Sequence, residues 1–132
     1  MENFTKPLKI ATLVVRILLG FIFTASSIVV LFDLVPQPEL TGTMKTFNDG
    51  IKASGYLMPL VKITELVCGI SLLVGRFVPL SLIVIAPVTV NILMVHIFID
   101  TEGLPIAVLL TLGNLFLAYV YREKYKGLFD SK

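Results

Sequence analysis

Four long apolar runs constrain this chain more than any other feature of its sequence. They cover residues about 10–32, 57–75, 77–99 and 103–121, and few charged residues interrupt them. Each is roughly 20 residues long, the length that an α-helix needs to cross about 30 Å of hydrocarbon. Because backbone polar groups inside a bilayer must be hydrogen-bonded within the protein, these runs predict transmembrane helices. We therefore expect an all-α integral membrane protein, an antiparallel four-helix bundle formed by one domain over residues 1–132.

The composition supports the same class. Hydrophobic residues make up 56% of the 132 residues, charged residues make up 15%, and the mean hydropathy is +0.93. A soluble domain carries about 25% charged residues. The expected partner is the lipid bilayer, and the net charge of +2 is too small to indicate a nucleic-acid partner.

The distribution of basic residues predicts the orientation. With four spans, both termini and the short Gly75-Arg76 turn lie on one side, here called the terminal side, and the two longer connections lie on the loop side. The basic residues of the terminal side are Lys6, Lys9, Arg76, Arg122, Lys124, Lys126 and Lys132. The loop side has Lys45 and Lys52 but also Asp33, Glu39, Asp49, Asp100 and Glu102. Because cytoplasmic loops carry an excess of Lys and Arg, both termini are predicted to be cytoplasmic.

The first loop-side connection, residues 33–55, is too long for a simple turn. Pro36-Gln37-Pro38 is expected to stop the first helix and to keep the chain extended. Thr43 is then predicted to cap a short amphipathic helix that ends near Gly55. The apolar face of this helix consists of Met44, Phe47 and Ile51. Such a helix either lies on the membrane surface or covers the mouth of the bundle.

Polar residues inside the spans predict a binding site. Glu65 and Asn91 each lie eight residues from the loop-side end of their span, about 12 Å deep at 1.5 Å per residue. Asn114 is slightly deeper, and Arg16 has a side chain long enough to extend towards Glu65. His96 lies nearer the loop side, where an imidazole, which exchanges protons near neutral pH, is suited to relay them. The candidate binding residues are Arg16, Glu65, Asn91, His96 and Asn114.

Packing roles are the alternative for each of these residues. Glu65 has two candidate partners for a structural ion pair, Arg16 and Lys62, and such pairs do occur within membranes. Arg16 is also able to extend to the cytoplasmic surface instead. His96 is close enough to Asp100 to cap the bundle. The two asparagines are suited to hydrogen bonds between helices.

The residue inventory restricts the chemistry. The single cysteine, Cys68, cannot support an intramolecular dithiol–disulfide cycle, and the single histidine cannot give bis-histidine haem ligation. No set of residues resembles a stable metal site, and no self-contained catalytic motif is present. A redox role therefore requires a lipid-soluble carrier such as a quinone, or a partner subunit.

Several motifs resemble those of the DoxX family of small four-helix bacterial membrane proteins. They are Arg16-Ile-Leu-Leu-Gly20, Glu65-x-x-x-Gly69, Leu73-x-Gly75-Arg76, Pro87-x-x-x-Asn91 with His96, and Gly103-Leu104-Pro105. The resemblance covers residues of roughly 10–122. This chain departs from the pattern in one respect: many members carry a basic residue late in the first span, where this chain has Ser26-Ser27-Ile28-Val29-Val30.

The resemblance implies a four-helix bundle in the bacterial inner membrane and an association with quinone-linked redox systems. The preferred hypothesis is an accessory or oxidoreductase subunit that binds a lipid-soluble ligand, such as a non-covalently bound quinone, in the intramembrane polar site. No residue is assigned as catalytic or as a metal ligand.

Two other functions are alternatives. One is a membrane chaperone or assembly factor without catalysis, whose partner is a membrane or periplasmic protein. The other is a proton-coupled small-molecule transporter that acts as a homodimer around a single membrane carboxylate.

Overall fold

A computed structural model describes residues 5–36 and 39–131. Its α-helices are α1 (Lys6–Leu31), α2 (Gly42–Ala53), α3 (Leu57–Val74), α4 (Val78–Phe98) and α5 (Leu104–Val120), with 3₁₀ segments at Thr101–Gly103 and Arg122–Phe129. In the described residues there is no β-strand. Within these described ranges, four helical stretches are long and apolar enough to cross a membrane: α1, α3, α4 and Thr101–Val120. The expected all-α membrane bundle is confirmed. Of the predicted Pro36-Gln37-Pro38 break, Gln37 and Pro38 lie outside the described residues.

The helix boundaries match the apolar runs closely except at the start of α1. The run begins near residue 10, but the helix begins at Lys6, with Pro7 in its first turn and Thr5 in an extended conformation. Proline suits the first turn of a helix because the N–H group that it lacks has no intrahelical partner there. The helix therefore extends four residues beyond its apolar run, and Lys6 and Lys9 lie on its first turns.

The turn between α3 and α4 is tight because glycine occupies its left-handed position. Gly75 has a φ of +77°, and its N–H group donates to the Ser71 carbonyl at 2.9 Å, as does the Arg76 N–H group at 3.1 Å. Glycine adopts this conformation without steric strain. Phe77 follows with a φ of +56°, and Pro79 lies in the first turn of α4. This turn fixes the antiparallel register of α3 and α4.

The four long helices form an up-and-down bundle. Each packs against its neighbours along the chain, α1 against α3, α3 against α4 and α4 against α5, and α5 closes the ring against α1. The largest side chains of the core are completely buried. They include Phe23, Leu72, Ile85 and Leu117. Many large apolar side chains remain exposed on the outside of the bundle, and these face the lipid bilayer.

The amphipathic helix α2 is present, but it starts differently from the prediction. The helix begins at Gly42, so Thr43 lies within it, and Thr41 precedes it in an extended conformation without a side-chain capping bond. Gly42 has a φ of +64°, a conformation that glycine adopts readily, and the helix starts two residues earlier than a cap at Thr43 would place it. No residue of α2 is buried, so it contributes little to the bundle core.

The interface between α1 and α3 is the most extensive in the bundle, and two glycines allow it. A Cβ atom at Gly20 would lie 2.8 Å from the Gly69 carbonyl oxygen, and one at Gly69 would lie 2.9 Å from the Thr24 backbone nitrogen. Small residues permit this close approach, which gives van der Waals contact that lipid cannot replace.

Gly20→Ala is therefore expected to force α1 and α3 apart and to lower the free energy of unfolding by about 1–3 kcal/mol. Unfolding in mixed detergent and lipid micelles measures the change. Gly50→Ala is the matched control, because Gly50 lies in α2 with open space around it, and its substitution is expected to leave the bundle as stable as before. Equal stability of the Gly20→Ala variant and the parent would contradict the close-contact account.

Candidate functional site

A cavity of about 520 Å³ lies between α3 and α4 near the loop side. Residues of α2 cover it, with the predicted apolar face, Met44, Phe47 and Ile51, along its wall. The α3 and α4 residues that line it are Leu57, Met58, Val61, Lys62, Glu65, Pro87, Val88, Asn91, Ile92, Val95 and His96. The cavity is thus mostly apolar with a few polar groups, which is typical of small-molecule binding sites.

An ion pair inside the membrane forms the polar centre of this cavity. Glu65 is 3% exposed, and its Oε2 atom lies 3.1 Å from the Nζ atom of Lys62, one helical turn earlier on α3. The same Nζ atom donates a hydrogen bond of 3.2 Å to the Ser26 hydroxyl on α1. The pair therefore has no net charge, and it links the cavity to the neighbouring helix.

Lys62 is the site residue that sequence reasoning considered only as a packing partner. The i, i+3 spacing from Glu65 was the available signal, since residues three apart lie on the same face of a helix. The contact of Lys62 with Ser26 also places a basic group of α3 beside α1. The first span has no basic residue after Ser26-Ser27, and Lys62 supplies a positive charge beside it from α3.

Asn91 and Pro87 form the α4 side of the cavity. Both are exposed, so the cavity is open there. Among the described residues the Asn91 amide has no hydrogen-bond partner, although it lies within transmembrane helix α4, seven residues before the helix ends at Phe98. Pro87 lies within α4 and has no N–H group to donate to the Ile83 carbonyl. An amide without a partner at this depth is suited to a ligand that offers one.

His96 lies at the loop-side end of the cavity and is held by the chain that follows α4. Its Nδ1 atom is 2.9 Å from the Asp100 carbonyl oxygen and 3.7 Å from the Asp100 Oδ2 atom. The ring lies against Gly103, where a Cβ atom would overlap it. Because a carbonyl oxygen only accepts hydrogen bonds, the Nδ1 atom carries the proton, and in the neutral ring the Nε2 atom is left as an acceptor. His96 thus both caps the end of α4 and lines the cavity.

Arg16 is held away from the cavity. Its Nη1 atom donates a 2.6 Å hydrogen bond to the Leu72 carbonyl, and its guanidinium group lies beside Gly75. Leu72 is seven residues beyond Glu65 on α3, about 10 Å along the axis. The expected approach of Arg16 to Glu65 is not seen in the structure, because the carbonyl groups at the end of α3 provide an acceptor nearer the terminal side.

Asn114 is also separate from the cavity. It is 7% exposed within the bundle on α5, and its Nδ2 atom has no hydrogen-bond partner among the described residues. It does not line the cavity with the other candidates. Of the five residues predicted to form a site, the structure brings together Glu65, Asn91 and His96, adds Lys62, and leaves out Arg16 and Asn114. No group of three or more His, Cys, Asp or Glu side chains able to hold a metal ion occurs among the residues described.

The fold and the cavity define a class of protein: a four-helix integral membrane protein with a polar site inside an apolar bundle. Within this class the chain belongs to the DoxX family, whose model matches residues 11–97. That segment covers α3 and all the residues that line the α3–α4 cavity, together with most of α1 and α4. Comparison with curated proteins and with solved structures gave no match.

The ion pair generates a prediction about stability. Lys62→Met leaves the Glu65 carboxylate buried without a partner and is expected to lower the free energy of unfolding by about 3 kcal/mol. A double variant, Lys62→Met with Glu65→Met, removes both charges and is expected to recover most of that loss. Unfolding in detergent and lipid micelles measures both. If the double variant loses as much free energy of unfolding as the two single substitutions lose in sum, the two side chains do not interact.

Proposed function

We propose that this DoxX family member binds a neutral lipid-soluble ligand, with a quinone as the leading candidate, in the cavity between α3 and α4. It would act as an accessory, quinone-linked subunit of a membrane redox system, with electron exchange at a partner subunit. The observation that carries the proposal is the neutral Lys62–Glu65 pair in an apolar cavity within the membrane. Such a site favours a ligand with a small polar head and a hydrocarbon body.

The polar groups suit the two oxidation states of a quinone head. Lys62 and the Asn91 amide can donate hydrogen bonds to quinone carbonyl oxygens. The Glu65 carboxylate and the unprotonated Nε2 atom of His96 can accept them from the hydroxyl groups of the reduced form. His96 adjoins Asp100 at the loop side, and this supports a role in proton exchange with that surface.

The ion pair also favours this function over proton-coupled transport. A proton-coupled transporter built around one membrane carboxylate needs that carboxylate to be free to take up and release a proton. Here Lys62 already neutralises Glu65. A neutral ligand can bind beside the pair without breaking it.

The proposed setting is the bacterial inner membrane with both termini in the cytoplasm. The basic residues at the terminal side support this orientation, since the loop side carries mainly acidic residues. The cavity would then lie near the periplasmic surface, with α2 between it and the periplasm.

Asn91→Leu tests the site directly. It is expected to weaken binding of a short-chain quinone by about fivefold to tenfold, because one hydrogen bond to the ligand contributes about 1 kcal/mol. Equilibrium titration in lipid nanodiscs, with native mass spectrometry of the complex, measures this. Asn114→Leu is the matched control, the same substitution outside the cavity, and is expected to keep the parent's affinity. Absence of quinone binding by the parent chain would overturn the proposal and favour a chaperone or assembly role.

A second test concerns α2, the helix that covers the cavity. Phe47→Ala removes an aromatic wall of the cavity and is expected to raise the dissociation constant for the same quinone by about tenfold, from the apolar area that it no longer buries. Thr46→Ala, at the adjacent exposed position of α2, serves as the control. If both variants bind as the parent does, α2 is only an interfacial helix and takes no part in the site.

A further inference from the structure

The terminal side carries a second feature, which is independent of the cavity. The 3₁₀ segment Arg122–Phe129 follows α5 and is fixed to the start of α4, because the Tyr125 hydroxyl donates a 2.8 Å hydrogen bond to the Pro79 carbonyl. Partial burial raises the pKa of this phenol. Arg122 lies over the Tyr119 ring, 4.3 Å from its centroid. The segment is therefore held beside the α3–α4 turn at the membrane boundary.

This segment ends in two exposed apolar side chains. Leu128 is 66% exposed and Phe129 is 86% exposed, although both follow a polar stretch at the end of a transmembrane helix. A large apolar side chain exposed next to the hydrocarbon boundary gains free energy by entering the bilayer. Short amphipathic segments with this composition lie in the membrane interface.

The charges of the segment are unevenly paired. Lys126 lies 2.6 Å from Glu123, and this contact lowers the pKa of the Glu123 carboxyl. The side chains of Lys124 and of nearby Arg76 have no partner among the described residues. Lys6 and Lys9 add to the basic character of the same end. Two unpaired basic groups beside an apolar anchor are complementary to negatively charged lipid headgroups.

We propose that the Arg122–Phe129 segment, together with Arg76, is a docking surface for anionic phospholipid headgroups, with Leu128 and Phe129 inserted below them. The unpaired basic side chains of Arg76 and Lys124 favour an anionic headgroup. The exposed apolar side chains of Leu128 and Phe129 favour a membrane lipid over a soluble anion. The loop side has no equivalent, since its basic residues Lys45 and Lys52 lie among acidic ones and Lys45 is paired with Asp49. The surface would hold the C-terminal segment flat on one leaflet.

The depth of Phe129 gives the first test. The chain contains no tryptophan, so Phe129→Trp provides a single tryptophan in the full-length protein, which can be excited at wavelengths that the tyrosines do not absorb. In nanodiscs that contain phosphatidylglycerol, we expect blue-shifted emission and quenching by lipids brominated on their acyl chains. Emission typical of water, without quenching, would overturn the proposal and indicate a soluble protein partner for this face.

Headgroup selectivity gives the second test. The double variant Arg76→Gln with Lys124→Gln is expected to reduce the preference for spin-labelled phosphatidylglycerol over phosphatidylcholine by about fivefold per charge at low salt. Lys45→Gln with Lys52→Gln removes the same number of charges from the loop side and is expected to leave the preference unchanged. Equal losses in the two double variants would show a general charge effect and contradict a specific surface. Competition by free phosphate with the lipid would contradict the membrane assignment.

Discussion

The Lys62–Glu65 ion pair is the interaction on which the polar interior of this bundle depends. Either charge alone would be expensive within the membrane, and pairing them removes the net charge. A pair of well-packed apolar residues would satisfy the same space at equal or lower free energy, so stability alone does not explain its presence. Under the proposed function, its position in the wall of a cavity explains its presence. The pair keeps strong hydrogen-bonding groups in contact with a space that is otherwise hydrocarbon, and the bond to Ser26 fixes the lysine to α1.

The two halves of the bundle differ in how tightly they are held. Towards the terminal side, Arg16 binds the Leu72 carbonyl, Gly75 makes a tight turn, and Tyr125 fastens the C-terminal segment to α4. Towards the loop side, α3 and α4 enclose a cavity, and the helix that covers it has no buried residue. A helix with few buried contacts opens at low free energy, which a ligand that must enter and leave requires. The close α1–α3 contact at Gly20 and Gly69 joins the two halves.

Much of the fold was predictable from the sequence, because the length and hydrophobicity of a membrane span are set by the bilayer. The bounds of α3, α4 and α5 lie within a residue of the apolar runs at each end, whereas α1 begins four residues before its run. The site was less predictable. Depth along the helices selected Glu65 and Asn91, but depth does not say in which direction a long side chain extends. The Arg16 guanidinium group donates to a carbonyl oxygen nearer the terminal side. Asn114 is buried in the bundle and does not line the cavity. Lys62 was visible only as a neighbour three residues from Glu65, since its contact with Ser26 depends on how α1 and α3 pack.

The opening of the cavity determines how a ligand would reach the pair. Pro87 and Asn91 are exposed on the α4 side, at a depth where the surroundings are lipid. A water-soluble molecule would have to pass α2 and its apolar face, whereas a lipid-soluble one can enter sideways from the bilayer. The lateral route also explains why an amide without a protein partner is tolerated at the opening. It is the first polar group that a ligand's head meets after leaving the hydrocarbon, and the Lys62–Glu65 pair lies beyond it on α3. This order of contacts suits a carrier that diffuses within the membrane and exchanges its protons at one surface.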